Sequence, residues 1–328
     1  MATVRWISPA GVERHELRDV KALLERDDGF AWVDLPACDA EAKALLEETF
    51  GFHHLAIRDC AARSHVPKVH AYPDNVFIVL NAPDLGEAGH VHLLELDQFV
   101  GTHFLVTVHG PLGEGVPIEL AMRETGLVAE RMDAGRFLPR SPVELSHAVV
   151  TAMTRHMETM ASSLATRIAT LERRVMRNEM KDVEATLEEI FLVRHELLTL
   201  RTMAAQSREV YVRIGMIGRS LPEGTAPYVA DTADHFDRLT SLCDGEKEFL
   251  QGVLDFYQSR TVTKMNIAME RLALLTAIIL PITAVSGFYG MNIIVNDRTD
   301  IRQVLVVALI LTAVVVFTFR WARHQGWW

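Results

Sequence analysis

Residues 272–296 read LALLTAIILPITAVSGFYGMNIIVN, and none of these 25 side chains carries a charge. A second uncharged run, QVLVVALILTAVVVFTF, follows at 303–319 after a break of six residues. At about 1.5 Å per helical residue even the shorter run spans roughly 25 Å, which approaches the hydrocarbon thickness of a bilayer. Two such runs in tandem predict a hairpin of two transmembrane helices rather than two helices buried in a soluble core.

The flanks of this hairpin are positively charged. Lys264 and Arg271 precede the first run, and Arg320 and Arg323 follow the second. The positive-inside rule therefore predicts a multi-pass protein of the cytoplasmic membrane with both termini in the cytosol. Because the whole chain has a net charge of -10 and residues 264–328 have +3, residues 1–263 carry −13. This negative charge on residues 1–263 argues against nucleic acid as a partner and favours a domain that binds cations.

Upstream of the transmembrane hairpin the sequence pattern changes twice. Residues 1–140 alternate short β-rich runs with helical patches, which predicts a mixed α/β domain. Residues 141–227 have apolar side chains at helical spacing and predict a helical hairpin. From Tyr228 one helical pattern continues into the first apolar run, and so long a helix needs other long helices or copies of itself to pack against.

The predicted fold class is therefore an α+β membrane protein. Its parts are a cytosolic α/β domain (1–140), a cytosolic helical hairpin (141–227), a stalk helix (228–270), a first transmembrane helix (271–292), a short extracytoplasmic loop (293–302), a second transmembrane helix (303–320) and a basic cytosolic tail (321–328).

No enzyme motif is visible in the sequence. The three cysteines are widely spaced, and the pair His195-Glu196 lacks the histidine at position 199 that a metalloprotease helix requires. A Gly-x-Ser-x-Gly nucleophile motif is absent as well. We therefore do not expect an enzyme.

The triplet Gly290-Met291-Asn292 ends the first apolar run, just before the short loop and the last helix. In this place it resembles the hallmark of the CorA family of divalent metal-ion channels. The likeness extends to FGFHHLAIRDCAARSHVPKVHAYPDNVFIVL at 50–80 and to YVADTADH at 228–235. Further positions along the helix keep the family's intervals: Asn266, Met269, Leu272, Pro281, Thr283, Gly287 and Tyr289.

The resemblance implies a homopentamer in the lipid bilayer, with a pore lined by the first transmembrane helix of each chain. It implies that Gly290, Met291 and Asn292 form the selectivity filter. A ring of Asn292 carboxamides can accept hydrogen bonds from the water of a hydrated Mg²⁺ ion, which gives up that water reluctantly. Reading back at helical intervals predicts one pore-lining face: Asn266, Met269, Leu272, Thr276, Leu280, Thr283 and Gly287. The alternative for the two threonines is ordinary helix packing.

The family also binds divalent ions between neighbouring cytosolic domains, through an aspartate of each partner. The matching positions are Asp59 and Asp231, with Asp234 one turn further on. Facing carboxylates repel unless a cation lies between them, so the ion would favour a closed state. Arg58 stands where the family usually has another acid, which predicts a weaker metal affinity. The alternative is that these aspartates are solvated surface acids.

Three functions fit these features. The first is a Mg²⁺ uptake channel that also passes Co²⁺ or Ni²⁺ and is regulated by intracellular Mg²⁺. The second is a proton-coupled Zn²⁺ transporter of the ZntB type, and the third is a membrane-tethered cation sensor that conducts nothing. Met291 favours the first, because the ZntB type often carries a different triplet.

Overall fold

The computed structural model describes residues 2–86, 90–113, 115–177, 183–217, 224–290 and 301–324. The chain divides into two compact units, Met1–Val253 and Leu254–Trp328. Helix α8 (Ala226–Gly290) contributes to both of them.

The first unit is built on a seven-stranded sheet. Its strands are β1 (Thr3–Ser8), β2 (Gly11–His15), β3 (Phe30–Leu35), β4 (Lys68–Ala71), β5 (Asn75–Leu85), β6 (Val91–Gly101) and β7 (Phe104–His109). They lie in the order β2-β1-β3-β7-β6-β5-β4. Strands β3 and β7 pair in parallel and the other neighbours are antiparallel. The predicted mixed α/β domain is present, and β1 and β2 are strands that the sequence patterns did not predict.

Helices cover both faces of this sheet. They are α1 (Val20–Leu23), α2 (Ala40–Ala44), α3 (His54–Ala61), α4 (Ile118–Ala121), α5 (Arg123–Asp133), α6 (Pro142–Arg177) and α7 (Val183–Met216). Successive residues of a strand point to opposite faces. Phe99 of β6 therefore packs in the apolar core with α1 to α3, while its neighbour Gln98 accepts a hydrogen bond from Ser146 of α6 on the other face.

The long helices follow the apolar periodicity of the sequence. Helix α6 buries every member of the stripe that helical spacing predicts: Leu145, Val149, Met153, Met160, Leu164, Ile168, Leu171 and Val175. Burying one face of a helix stabilises it far more than intrinsic propensity does, which explains how a helix of 36 residues persists here.

The second unit consists of the last part of α8 and helix α9 (Ile301–His324). Both helices contain segments long and apolar enough to cross a membrane, Ala226–Gly287 and Val304–His324. Most of their apolar side chains are exposed, as expected of helices whose natural surroundings include lipid. The predicted fold class is confirmed: a mixed α/β N-terminal domain, long helices and two apolar C-terminal helices.

Candidate ion path and regulatory acids

One face of α8 carries most of the residues predicted to line a pore. Five of them border two adjoining shallow grooves on the helix surface: Met269, Leu272, Thr276, Leu280 and Thr283. Spacings of three and four residues bring side chains to one side of a helix, so the sequence itself dictates this alignment. The alanines at 273, 277 and 284 border the same grooves, and their small side chains leave the backbone accessible.

The two threonines of this face bond to their own helix. Thr276 Oγ1 donates to the carbonyl of Leu272 at 2.8 Å, and Thr283 Oγ1 donates to that of Ile279 at 2.9 Å. This is the geometry expected of a threonine inside a helix. This hydrogen bond uses the hydroxyl proton and leaves the oxygen lone pairs able to accept. The water molecules around a cation donate hydrogen bonds outward, so they require acceptors of this kind.

The ends of the predicted path are polar or small. Asn266 is exposed on α8, and apart from the adjacent helix backbone no atom of the described residues lies within 4 Å of where a Cβ of Gly287 would be. Gly290 is the last residue of α8. Met291 and Asn292 lie outside the described residues.

Asp59 lies on α3 and is paired with two cations of its own chain. Lys68 Nζ donates to Asp59 Oδ2 at 2.7 Å, and an Arg58 guanidinium nitrogen lies 3.4 Å from Oδ1. Partial burial raises the pKa of Asp59, but the Lys68 hydrogen bond and both positive charges outweigh it, so the pKa lies below its usual value. Asp59 is therefore ionised and already neutralised. Lys68 was not predicted as a partner of Asp59, although it lies in the stretch 50–80 that resembles the family.

Asp231 lies in the first turns of α8 between two histidines. His147 Nε2 of α6 lies 2.8 Å from Asp231 Oδ2, and His235 Nε2 lies 3.4 Å from the same oxygen. The hydrogen bond from His147, together with the charges of His235, His147 and Arg238, holds the pKa of Asp231 below its usual value. An ionised carboxylate only accepts hydrogen bonds, so the His147 imidazole must carry a proton on Nε2. The histidines were missed, although Asp231 and His235 have the four-residue spacing that shares a helix face.

The three predicted regulatory acids have different neighbours within one chain. Asp59 binds cations from α3 and β4, Asp231 binds histidines from α6 and α8, and Asp234 is exposed beside His235. In the parts of the chain that the structure describes, no three acidic, histidine or cysteine side chains converge into a metal site.

Comparison with known proteins identifies the family. The sequence model of the CorA-like Mg²⁺ transporter proteins matches residues 27–322. The chain belongs to this family. It is 25% identical to YfjQ of Bacillus subtilis over 94% of this chain and 93% of that protein. It is 24% identical to the cobalt/magnesium transport protein CorA of Thermotoga maritima, over 84% of this chain and 77% of that protein.

The fold agrees with a solved member of the family. The complete structure of the CorA magnesium transporter from Methanocaldococcus jannaschii matches all of this chain and 99% of its own, with a TM-score of 0.80 at 18% identity. The CorA-like chain is therefore a membrane protein of a divalent-cation transporter family and is not an enzyme, as the sequence predicted.

Proposed function

We propose that five copies of this CorA-like chain form a channel through which Mg²⁺ enters the cell across the cytoplasmic membrane, with Co²⁺ and Ni²⁺ as further cargo. The observation that carries the proposal is the row of residues from Met269 to Thr283 on one face of an apolar helix that leads to Gly290. Five such faces around an axis would line a continuous path. The topology proposed from charge keeps both termini in the cytosol, with the loop 293–302 outside.

The chemistry of this face suits a hydrated ion. Thr276 and Thr283 offer hydroxyl oxygens whose own protons are already committed to the helix backbone, so these oxygens accept hydrogen bonds from the water shell. Leu272 precedes Thr276, Leu280 lies between the two threonines, and both leucine side chains are exposed. A narrow ring of such apolar side chains blocks ions by excluding water. The polar positions would pass the ion and the apolar positions would gate it.

The filter is proposed to be Gly290, Met291 and Asn292 of each chain. A neutral carboxamide oxygen binds the outer side of a hydrated Mg²⁺ ion without the tight grip of a carboxylate. Gly290 ends α8, where the absence of a Cβ lets five chains approach closely.

Regulation is proposed to act at Asp59, Asp231 and Asp234 of neighbouring subunits. Within its own chain, Asp59 is paired with Lys68, and Asp231 accepts a hydrogen bond from His147. An incoming Mg²⁺ ion must therefore compete with these partners as well as shed water. This competition adds to the effect of Arg58 and supports a low affinity, which suits a sensor of abundant intracellular Mg²⁺.

The proposal is tested by ion flux into liposomes that contain the purified protein. We expect Mg²⁺ influx that does not depend on a proton gradient, and loss of that influx in Asn292→Ala. Asn296→Ala, which changes the same type of residue four positions further along, is the matched control and should conduct normally. Dependence on a proton gradient would indicate the zinc-transporter alternative, and absence of any flux would indicate the sensor. Chemical cross-linking of the same preparation counts the chains per particle, and five are expected.

A further inference from the structure

Beneath α3, the sheet face that packs the apolar core also carries three buried polar residues. Asn81 of β5 is 1% exposed, and Glu95 and Asp97 of β6 are 3% and 0% exposed. Asn81 lies directly opposite Glu95 in the antiparallel pair, and Asp97 follows Glu95 by two residues. Cross-strand partners and residues two apart share one face of a sheet. The three side chains therefore adjoin one another on the face that Cys60 of α3 covers.

These side chains lack the hydrogen bonds that burial normally demands. Both amide atoms of Asn81 and Oε1 of Glu95 have no hydrogen-bond partner among the described residues, and the carboxyl group of Asp97 faces only the weak donor of the Cys60 thiol. Glu95 Oε2 accepts a hydrogen bond from the backbone N–H of Ser64. Buried polar atoms without partners are rare in folded proteins, and their concentration on adjoining residues points to a missing ligand.

The donor set selects the class of ligand. Each of the three side chains offers oxygen, and two of the three groups are carboxyl groups, which is the set that Mg²⁺, Mn²⁺ and Ca²⁺ prefer.

Glycine at position 110 allows the backbone to approach the Glu95 side chain closely. A Cβ at Gly110 would lie 2.6 Å from the Cβ of Glu95, so any larger residue there would force the glutamate aside. The backbone N–H of Gly110 donates to the carbonyl of Glu95 at 3.1 Å and fixes this approach. Ser64, whose backbone N–H donates to the Glu95 carboxylate, is partly exposed.

We propose that Asn81, Glu95 and Asp97 bind one divalent cation of the Mg²⁺ class inside a single subunit, with water completing its coordination. This site is separate from the aspartates proposed to bind ions between subunits, and it requires no second chain. It lies close to the Lys68–Asp59 pair, since the charges of both residues act on Glu95 and Asp97. If the proposed regulation is correct, occupancy of this site would also loosen Lys68 from Asp59.

The test is Mn²⁺ binding to the full-length protein in detergent, followed by electron paramagnetic resonance. Measurements are made in the Asp59→Asn/Asp231→Asn/Asp234→Asn background, which lacks the acids proposed for the interface. We expect that adding Asp97→Asn removes one bound Mn²⁺ per subunit, and that Glu95→Gln weakens the same ion. Asp84→Asn, which changes another acid of the same sheet, is the control and should leave the count unchanged.

Two results would overturn this inference. One is an equal Mn²⁺ count with and without Asp97→Asn. The other is a rise in melting temperature in Asp97→Asn that is the same with and without Mn²⁺, because that pattern indicates a buried acid that holds only a proton. Gel filtration and circular dichroism verify that each variant is folded. Liposome flux is measured in parallel. Flux stays normal if only the intrasubunit site is wrong, so failure of that site is distinguishable from failure of the channel proposal.

Discussion

At the scale of single residues, two of the three acids proposed to sense Mg²⁺ are not free carboxylates. Asp59 accepts a hydrogen bond from Lys68, and Asp231 accepts one from His147. The strength of these pairs sets how much Mg²⁺ is needed to replace them. A partly exposed ion pair contributes on the order of 1 kcal/mol, so the competition is modest and within the reach of millimolar Mg²⁺.

Removing the competing cation should make the sensor more sensitive. In Lys68→Gln we expect half-maximal protease protection of the full-length protein at roughly fivefold lower Mg²⁺, which corresponds to about 1 kcal/mol. Lys68→Arg keeps the positive charge and should resemble the parent, and Lys43→Gln on α2 controls for the loss of an exposed lysine. An unchanged midpoint in Lys68→Gln would show that Asp59 takes no part in sensing.

At the scale of elements, α8 combines two periodic signals in one helix. Its early turns bear Asp231 and His235 on one face, and its later turns bear the row from Met269 to Thr283. Threonine is compatible with both helix packing and an ion path, because the back-bond to the helix leaves its oxygen able to accept. A substitution that keeps the shape and removes the oxygen separates the two interpretations.

Thr283→Val should lower Mg²⁺ influx into liposomes several-fold, whereas Thr283→Ser, which retains the oxygen, should conduct like the parent. Valine nearly matches threonine in volume, so the helix should remain folded. The matched control is Thr312→Val on α9, which removes the same kind of back-bond, there to Ala308, from a helix outside the proposed path. Normal flux in Thr283→Val would favour the packing interpretation.

At the scale of the whole molecule, the proposed regulation depends on contacts between subunits. Two carboxylates from neighbouring chains repel each other, and a divalent ion between them converts repulsion into attraction. A small change in charge at one residue is then repeated at every interface of the assembly, so its effect is multiplied by the number of interfaces. The closed state should therefore depend steeply on the Mg²⁺ concentration.

Asp231→Asn should abolish the Mg²⁺-dependent part of the protection against protease in the assembled protein. The matched control is Asp237→Asn, which removes a carboxylate from the same helix where it pairs with Arg208. Because asparagine can still accept a hydrogen bond from His147, the packing of α6 against α8 should survive. Protection equal to that of the parent at every Mg²⁺ concentration would rule out Asp231 as a regulatory ligand.

The sequence by itself determined the two membrane-spanning candidates, the buried stripe of α6 and the alignment of Met269, Leu272, Thr276, Leu280 and Thr283. Hydropathy and helical periodicity are properties of adjacent residues, so they can be read along the chain. Only the tertiary structure revealed that Lys68 neutralises Asp59, that His147 reaches Asp231 and that Asn81 meets Glu95. Each of these pairs joins separate elements of the chain, and burial and charge pairing depend on distances in space that local patterns do not encode.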